Sequence, residues 1–435
     1  MSVSAPISEP LSGSLSAALP LDRIRAQFPA LSQTANGEPT AFLDGPGGTQ
    51  VPQGVIDAMG HYLSHSNANA HGAFSTSQQT DVVIQSAHKA MADFLGCHGT
   101  EIIFGPNMTT LTFALSRAIA RDLRPDDEIL VTCLDHDANV APWQALTEQG
   151  AVVRTVDIHP EDCTLDMADF ARKLSPRTRL VAVTYASNAV GTLNDLPTII
   201  QQAHAVGAWV FVDAVHYAVH APIDVKALDC DFLACSPYKF FGPHLGVIYG
   251  KRDLLDWLHP YKVRPASNQS PDRWETGTQN HEGLAGLVAT IEYLANLGQQ
   301  LSSGILNRRN ALITAMTATH HHGQFLGKQL LAGLLNIPQL TVYGITDPKQ
   351  LAWRVPTVSL RLGDYPPAVL ARKLADRGLF TWHGNFYALN LTERLGVEEK
   401  GGLLRVGLVH YNTANEVDRL LGVLQELATA SSTPV

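Results

Sequence analysis

At 435 residues the chain exceeds the usual size of one compact domain, so two or more lobes with separate cores are expected. A composition of 45% hydrophobic and 16% charged residues excludes the disordered class, and a net charge of -9 without a dense basic cluster argues against nucleic acid as a partner. No run approaches the roughly 18 apolar residues needed to cross a bilayer, so no membrane partner is expected.

The Ser/Ala/Pro-rich stretch before Arg23 has neither a charged start nor an apolar core, and reads as a tail rather than a signal peptide. Five cysteines, an odd number without C-x-x-C spacing, argue against a disulfide framework and point to the reducing cytoplasm. Three segments are expected: a tail with a small-domain segment over 1–40, a large domain over 41–300 and a small C-terminal domain over 301–435.

From about Ala41 to Gly250 short apolar runs alternate with helical stretches, which predicts an α/β fold with a mostly parallel sheet covered by helices. Gly45-Pro46-Gly47-Gly48 lacks G-x-G-x-x-G spacing and is no dinucleotide loop. The first strand, Glu101 to Phe104, runs into Gly105-Pro106-Asn107-Met108-Thr109-Thr110, a loop opening an apolar helix and suited to an anion. After the strand Glu128 to Thr132 comes Asp135-His136-Asp137-Ala138-Asn139, where His136 can cover a flat ring and act as acid or base.

The strands Val152 to Val156 and Arg179 to Thr184 follow, the second ending at Ser187-Asn188, where the Asn188 amide can reach a ring oxygen. A helix over Leu196 to Ala205 is capped by Asn194 or Asp195 and closed by Gly207. The strand Ala208 to Val212 delivers Asp213, a carboxylate able to keep a pyridine nitrogen protonated. The strand Asp231 to Cys235 delivers Ser236-Pro237-Tyr238-Lys239, where a lysine held at a strand end can form a Schiff base. Each residue type is commonplace alone, but together at the carboxyl ends of strands they suit pyridoxal 5'-phosphate (PLP), because ligands gather at that edge of open α/β sheets.

After the strand Gly246 to Tyr249, the polar segment Pro265 to Asp272 precedes long helical patterns to about Leu335, and a second β/α alternation begins. His320-His321-His322 reads as a solvated helix end rather than a metal site, since consecutive helical residues point in different directions. Leu403 to Leu408 reads as a strand, and Thr413 with Glu416 forms a capping box before an amphipathic helix.

In this order and spacing the motifs resemble those of the class V aminotransferases of PLP fold type I, and within them the cysteine desulfurases and their desulfurase-like cousins. The similarity runs from about Phe42 to Leu424 and also includes Gly191-Thr192, Gly242-Pro243 and Glu275-Thr276-Gly277-Thr278. It implies a large PLP-binding domain with a smaller α+β domain, and makes Lys239 the Schiff-base lysine, Asp213 the pyridinium partner, His136 the stacking imidazole and Asn188 the ring-oxygen ligand. It assigns Met108, Thr109 and Ser236 to the phosphate, and Thr278 to the phosphate of a neighbouring subunit, hence a homodimer. Arg405 would grip the substrate carboxylate, with His71 and His383 also on the substrate side. His216 stands where the family usually has glutamine, and Tyr238 replaces a common histidine.

Desulfurases carry a nucleophilic cysteine on a small-lobe loop, and here that stretch is Thr381-Trp382-His383-Gly384-Asn385-Phe386-Tyr387-Ala388, with no cysteine after Cys235. The expected function is therefore a PLP-dependent, lyase-type reaction on an amino acid without a persulfide cysteine. The aromatic loop is expected to shape a pocket for a larger or less polar side chain. Transamination, epimerisation and a non-catalytic PLP-binding role are the alternatives.

Overall fold

A computed structural model describes residues 19–431, and the Ser/Ala/Pro-rich tail over 1–18 lies outside them. The large sheet contains β1 (Ile102–Gly105), β2 (Glu128–Thr132), β3 (Val152–Val156), β4 (Thr178–Thr184), β5 (Trp209–Asp213), β6 (Phe232–Cys235) and β7 (Gly246–Gly250). Their order is β1-β7-β6-β5-β4-β2-β3, and β7 alone runs antiparallel to its neighbours. The expected strands are all present, with some boundaries moved by one residue. Glu101, for example, sits in a turn before β1, where its carboxylate accepts from His98 N (2.9 Å) instead of joining the ladder.

The strands are apolar almost throughout because both faces of the sheet are covered. Along β4, Leu180 and Ala182 enter one core cluster, while Val181 and Val183 enter the other. The period of two thus divides a single apolar run between two cores.

Helices α1 (Gln53–His65), α2 (Ser75–Leu95), α3 (Met108–Ile119) and α4 (Leu196–Ala205) belong to the large lobe. Helix α4 has the expected bounds, with the Asp195 side chain capping Thr198 N, and Asn194 instead donates to Thr184 O at 2.8 Å. Ile24 and Phe28, from the segment before α1, are buried in the large-lobe core.

Two long helices, α5 (His281–Gln300) and α6 (Arg308–Leu334), lead to the small lobe. The first turns of α6 bury Ala311, Leu312 and Met316 in the large-lobe core, and its last turns bury Leu326, Leu330 and Leu334 in the small-lobe core. His320, His321 and His322 therefore lie in the middle of a 27-residue helix. The expected helix end is corrected: apolar residues continue at helical spacing beyond the histidines and carry the helix into the second core.

The small lobe contains β8 (Leu340–Tyr343), β9 (Thr357–Leu362), β10 (Trp382–Gly384) and β11 (Leu403–Gly407) in the antiparallel order β8-β9-β11-β10, followed by α7 (Ala414–Ser431). The capping box forms, with Glu416 N donating to Thr413 Oγ1 (3.2 Å) and Thr413 N to Glu416 Oε2 (3.0 Å). Among the described residues, no helix is long and apolar enough to cross a membrane.

Candidate active site

The carboxyl ends of β2, β4, β5 and β6 open on one cleft of about 490 Å³. His136 reaches it four residues after β2, Asn188 four residues after β4 and Lys239 four residues after β6, while Asp213 is the last residue of β5. Met108, Thr109, His216 and Ser236 line the same space.

Lys239 is buried, and its amine makes no hydrogen bond among the described residues. Burial first, and then the Arg405 charge, push its pKa down to about 8, with Asp213 opposing. A fully buried amine thus titrates near neutrality, as nucleophilic and proton-transferring lysines do.

Asp213 accepts from Val215 N through Oδ1 at 2.9 Å, and its other oxygen has no partner within the described chain. Burial raises its pKa, against the Val215 hydrogen bond and the Lys239 charge. Such a carboxyl is stable as an anion only beside a cation, and a protonated pyridine nitrogen would be one.

His136 accepts from Ala138 N at its Nδ1 (3.0 Å), which leaves Nε2 to carry the proton. Burial, then the Lys239 and Arg405 charges, lower its pKa to about 3, so the ring is neutral. Its loop is held from below by Asp135, whose carboxyl accepts from Thr132 Oγ1 (2.6 Å) and Asn139 Nδ2 (2.8 Å). Burial raises Asp135 to about 8. His216 is also kept neutral, by burial first and then by neighbouring His220, and its Nε2 meets Thr357 Oγ1 at 2.9 Å.

The anion end of the cleft lies at the start of α3. Asn107 caps the helix by accepting from Thr110 N at 2.8 Å, while the backbone N–H groups of Met108 and Thr109 make no hydrogen bond among the described residues. Ser236 adds a hydroxyl. A Cβ on Gly246 would lie 2.2 Å from the Asn107 carbonyl carbon, so only glycine lets β7 pass beneath this loop. Free N–H groups at a helix start and a nearby hydroxyl suit a phosphate. With the unpartnered Asp213 oxygen and the bare Lys239 amine, these residues fit PLP.

The small lobe closes the other side. Arg405 on β11 donates from Nη1 to Asn188 O (3.0 Å), and its buried Nε has no partner. Burial lowers its pKa to about 9, with Asp44 and Tyr238 opposing, and Asp44 itself is raised to about 6 by burial. Two carbonyls of the loop after β10 meet the large lobe: Asn188 Nδ2 donates to Phe386 O (2.9 Å) and Asp137 N to Tyr387 O (2.7 Å). The Tyr387 ring stacks on His136 at 5.3 Å with a 20° interplanar angle.

The loop bearing Asn188 is fastened further along. Ser359 Oγ donates to Ala189 O (2.6 Å), and buried Arg354 donates to the carbonyls of Thr357 (2.6 Å), Val190 (3.2 Å) and Ile345. Gly191 has φ +78°, and a Cβ there would meet Thr357 O at 2.5 Å, so the seam requires glycine.

Four expected residues are not among those lining the cleft: Arg405, which reaches it only through Asn188, and three that are exposed elsewhere. His71 is exposed and pairs with Asp81 at 3.0 Å, His383 is exposed on β10, and Thr278 is exposed after Gly277. Sequence reasoning passed over Thr357, Arg354 and Asp135. Asp135 belongs to the Asp135-His136-Asp137-Ala138-Asn139 motif, but the other two sit in stretches with no local signal of a site.

The family model described as Aminotransferase class-V matches residues 41–420. A cysteine desulfurase from Pectobacterium atrosepticum is 33% identical over 425 residues, covering 94% of this chain and 98% of that protein. One from Salmonella gallinarum is 32% identical with the same coverage. Among solved structures, a cysteine desulfurase from Thermococcus onnurineus NA1 superposes with a TM-score of 0.84 at 26% identity, covering 95% of this chain and 99% of that one. The cysteine desulfurase CsdA from Escherichia coli gives 0.81 at 26% identity, covering 95% and 100%.

Proposed function

Because the chain belongs to the class-V aminotransferase family, a group of PLP-dependent enzymes with fold type I, we propose that it holds PLP on Lys239 and acts on an amino acid. The reaction we infer is a C–S or related β-elimination that leaves no persulfide on the protein, carried out by a homodimer. The observation that carries this reading is the convergence in one cleft of a buried unpaired amine and a buried carboxylate with one free oxygen, beside an arginine that is bonded to the cleft residue Asn188 and whose buried Nε has no partner.

Bound there, PLP supplies the electron sink that makes the α-proton of an attached amino acid acidic. Arg405, with Nη1 committed to Asn188 O, offers its Nε–Nη2 edge as a fork for the α-carboxylate. Asp213, through its unpartnered oxygen, would hold a proton at the pyridine nitrogen. Neutral His136 would cover the ring without adding a competing charge. Lys239, whose buried amine is easily neutralised, would be the group placed to move the α-proton and pass it to the leaving group.

The names of the relatives make cysteine the first substrate to test. Release of its sulfur as sulfide or a small thiol is favoured by the state of the five thiols. Burial raises all of them, Cys97, Cys133 and Cys163 to about 12, whereas a sulfur-accepting thiol must ionise near neutrality and reach the substrate.

Borohydride reduction followed by tryptic mapping tests the cofactor assignment, and the label belongs on the peptide containing Lys239. An amino-acid panel assayed for pyruvate, ammonia, sulfide and keto acids tests the reaction. Keto acid matching the substrate skeleton, without ammonia, would replace elimination by transamination.

A further inference from the structure

Phe386 and Tyr387 have φ +57° each, two successive left-handed residues without glycine, a conformation that persists only where surrounding contacts enforce it. The contacts are present. The two carbonyls take the hydrogen bonds from Asn188 and Asp137, and Tyr387 N donates to Asn385 Oδ1 at 3.1 Å. Asn385 Nδ2 in turn donates to Glu398 Oε1 at 3.0 Å.

This strained turn displays its two rings in different places. Phe386 is buried against the Arg405 guanidinium, while Tyr387 stacks on His136 and remains 71% exposed. A third ring, Trp382, is 53% exposed on the strand paired with Arg405. The two meet at Gly47, where an added Cβ would lie 3.5 Å from Arg405 Nη2 and 3.9 Å from the Trp382 ring. The carboxylate fork thus opens beside exposed aromatic surface, and the absent Gly47 side chain leaves that space free.

We propose that Trp382 and Tyr387 form the side-chain pocket of the substrate site, selecting amino acids with a large aryl or aryl-conjugated side chain over small ones. This rests on the reading of Arg405 as the carboxylate grip. Covering two half-exposed rings removes apolar surface from water that a methyl or thiol side chain leaves wet. An aryl ligand also gains edge or offset stacking that an aliphatic chain of equal area lacks.

Unreactive carboxylates separate the two ideas. Binding of 3-phenylpropionate and of propionate to the PLP-loaded protein, followed by tryptophan fluorescence and calorimetry, reads affinity without turnover. The aryl ligand is expected to bind about tenfold or more tighter. In the Trp382→Ser/Tyr387→Ser double variant the aryl advantage falls to about threefold or less while propionate affinity is kept, whereas Arg405→Gln weakens both ligands together. An advantage below about threefold in the unaltered protein, or one that survives the double variant, overturns the pocket. If Arg405→Gln changes neither affinity, the carboxylate grip itself fails.

Discussion

The guanidinium carbon of Arg405 lies 4.3 Å from the centroid of the Phe386 ring. One face of the cation is thus covered by an aromatic ring while Nη1 is tied to Asn188 O, so only the Nε–Nη2 edge is left for an anion. Arg405→Lys keeps the charge and loses the fork, and is expected to lower kcat/KM by about 2–3 kcal/mol, roughly 30- to 150-fold. Phe386→Leu removes the cation–π contact and is expected to raise KM about fivefold, for ~1 kcal/mol. Steady-state kinetics on both variants checks the order, and equal effects would remove the argument for the fork.

Lys239 titrates at about 8 in the cofactor-free protein, and only its neutral amine attacks an aldehyde. The rate at which added PLP becomes reducible onto the protein should therefore rise with pH through about 8 and level off above it. Stopped-flow absorbance between pH 6 and 10 measures this. In Arg405→Gln the midpoint should move upward, because the second-largest cause lowering the lysine is gone.

Sulfur chemistry gives a third outcome. After turnover with cysteine, intact-protein mass spectrometry should find no added sulfur on Cys97, Cys133, Cys163, Cys230 or Cys235, all of which burial holds in the thiol form. Stoichiometric persulfide on any of them would put a protein-bound relay in place of free release.

His88 Nε2 lies 3.0 Å from Glu275 Oε1, which also accepts from Phe104 N at 2.8 Å. Burial alone would lower the His88 pKa, but the Glu275 hydrogen bond and charge, with Asp272 adding, carry it above the ordinary value. A raised folded-state pKa gives stability that is full below the unfolded value of about 6.5 and lost as pH rises through the folded one. Thermal melting should show the unaltered protein losing more stability than His88→Gln over that rise. Parallel curves would mean that the pair contributes nothing.

The Glu275 anchor immediately precedes Thr276-Gly277-Thr278, and Thr278 is exposed. If Thr278 serves the phosphate of a second subunit, dimerisation and PLP retention are coupled. Sedimentation at falling concentration should show PLP released as monomer appears, with Thr278→Ala shifting both transitions to higher protein concentration. A monomer that retains its cofactor fully would contradict the shared site.

Most of the large-lobe architecture was legible locally. The β/α alternation marks the strands, and His136, Asn188, Asp213 and Lys239 each stand at the end of, or just after, an apolar run visible in sequence, whereas the strand order and the antiparallel placement of β7 come only from the structure. Caps at Asp195 and Thr413 were readable for the same reason, since their partners lie three residues away. The histidine triplet misled because a helix crossing from one core to another keeps its periodicity through a polar stretch, and only the second core shows where it ends.

What the sequence by itself determined is the placement of residue types at strand ends, because local periodicity dictates it. What only the tertiary structure decided is what those residues touch. The His216–Thr357 contact spans 141 positions and the Asn188–Phe386 contact 198, and both form only when the small lobe docks on the large one. Thr357 belongs to an apolar strand and Phe386 to a short loop, and no local pattern distinguishes either from ordinary packing. The contact of Arg405 with the Asn188 carbonyl likewise spans 217 positions. Side-chain chemistry is local, whereas the desolvation and partners that tune it come from the docking of distant segments.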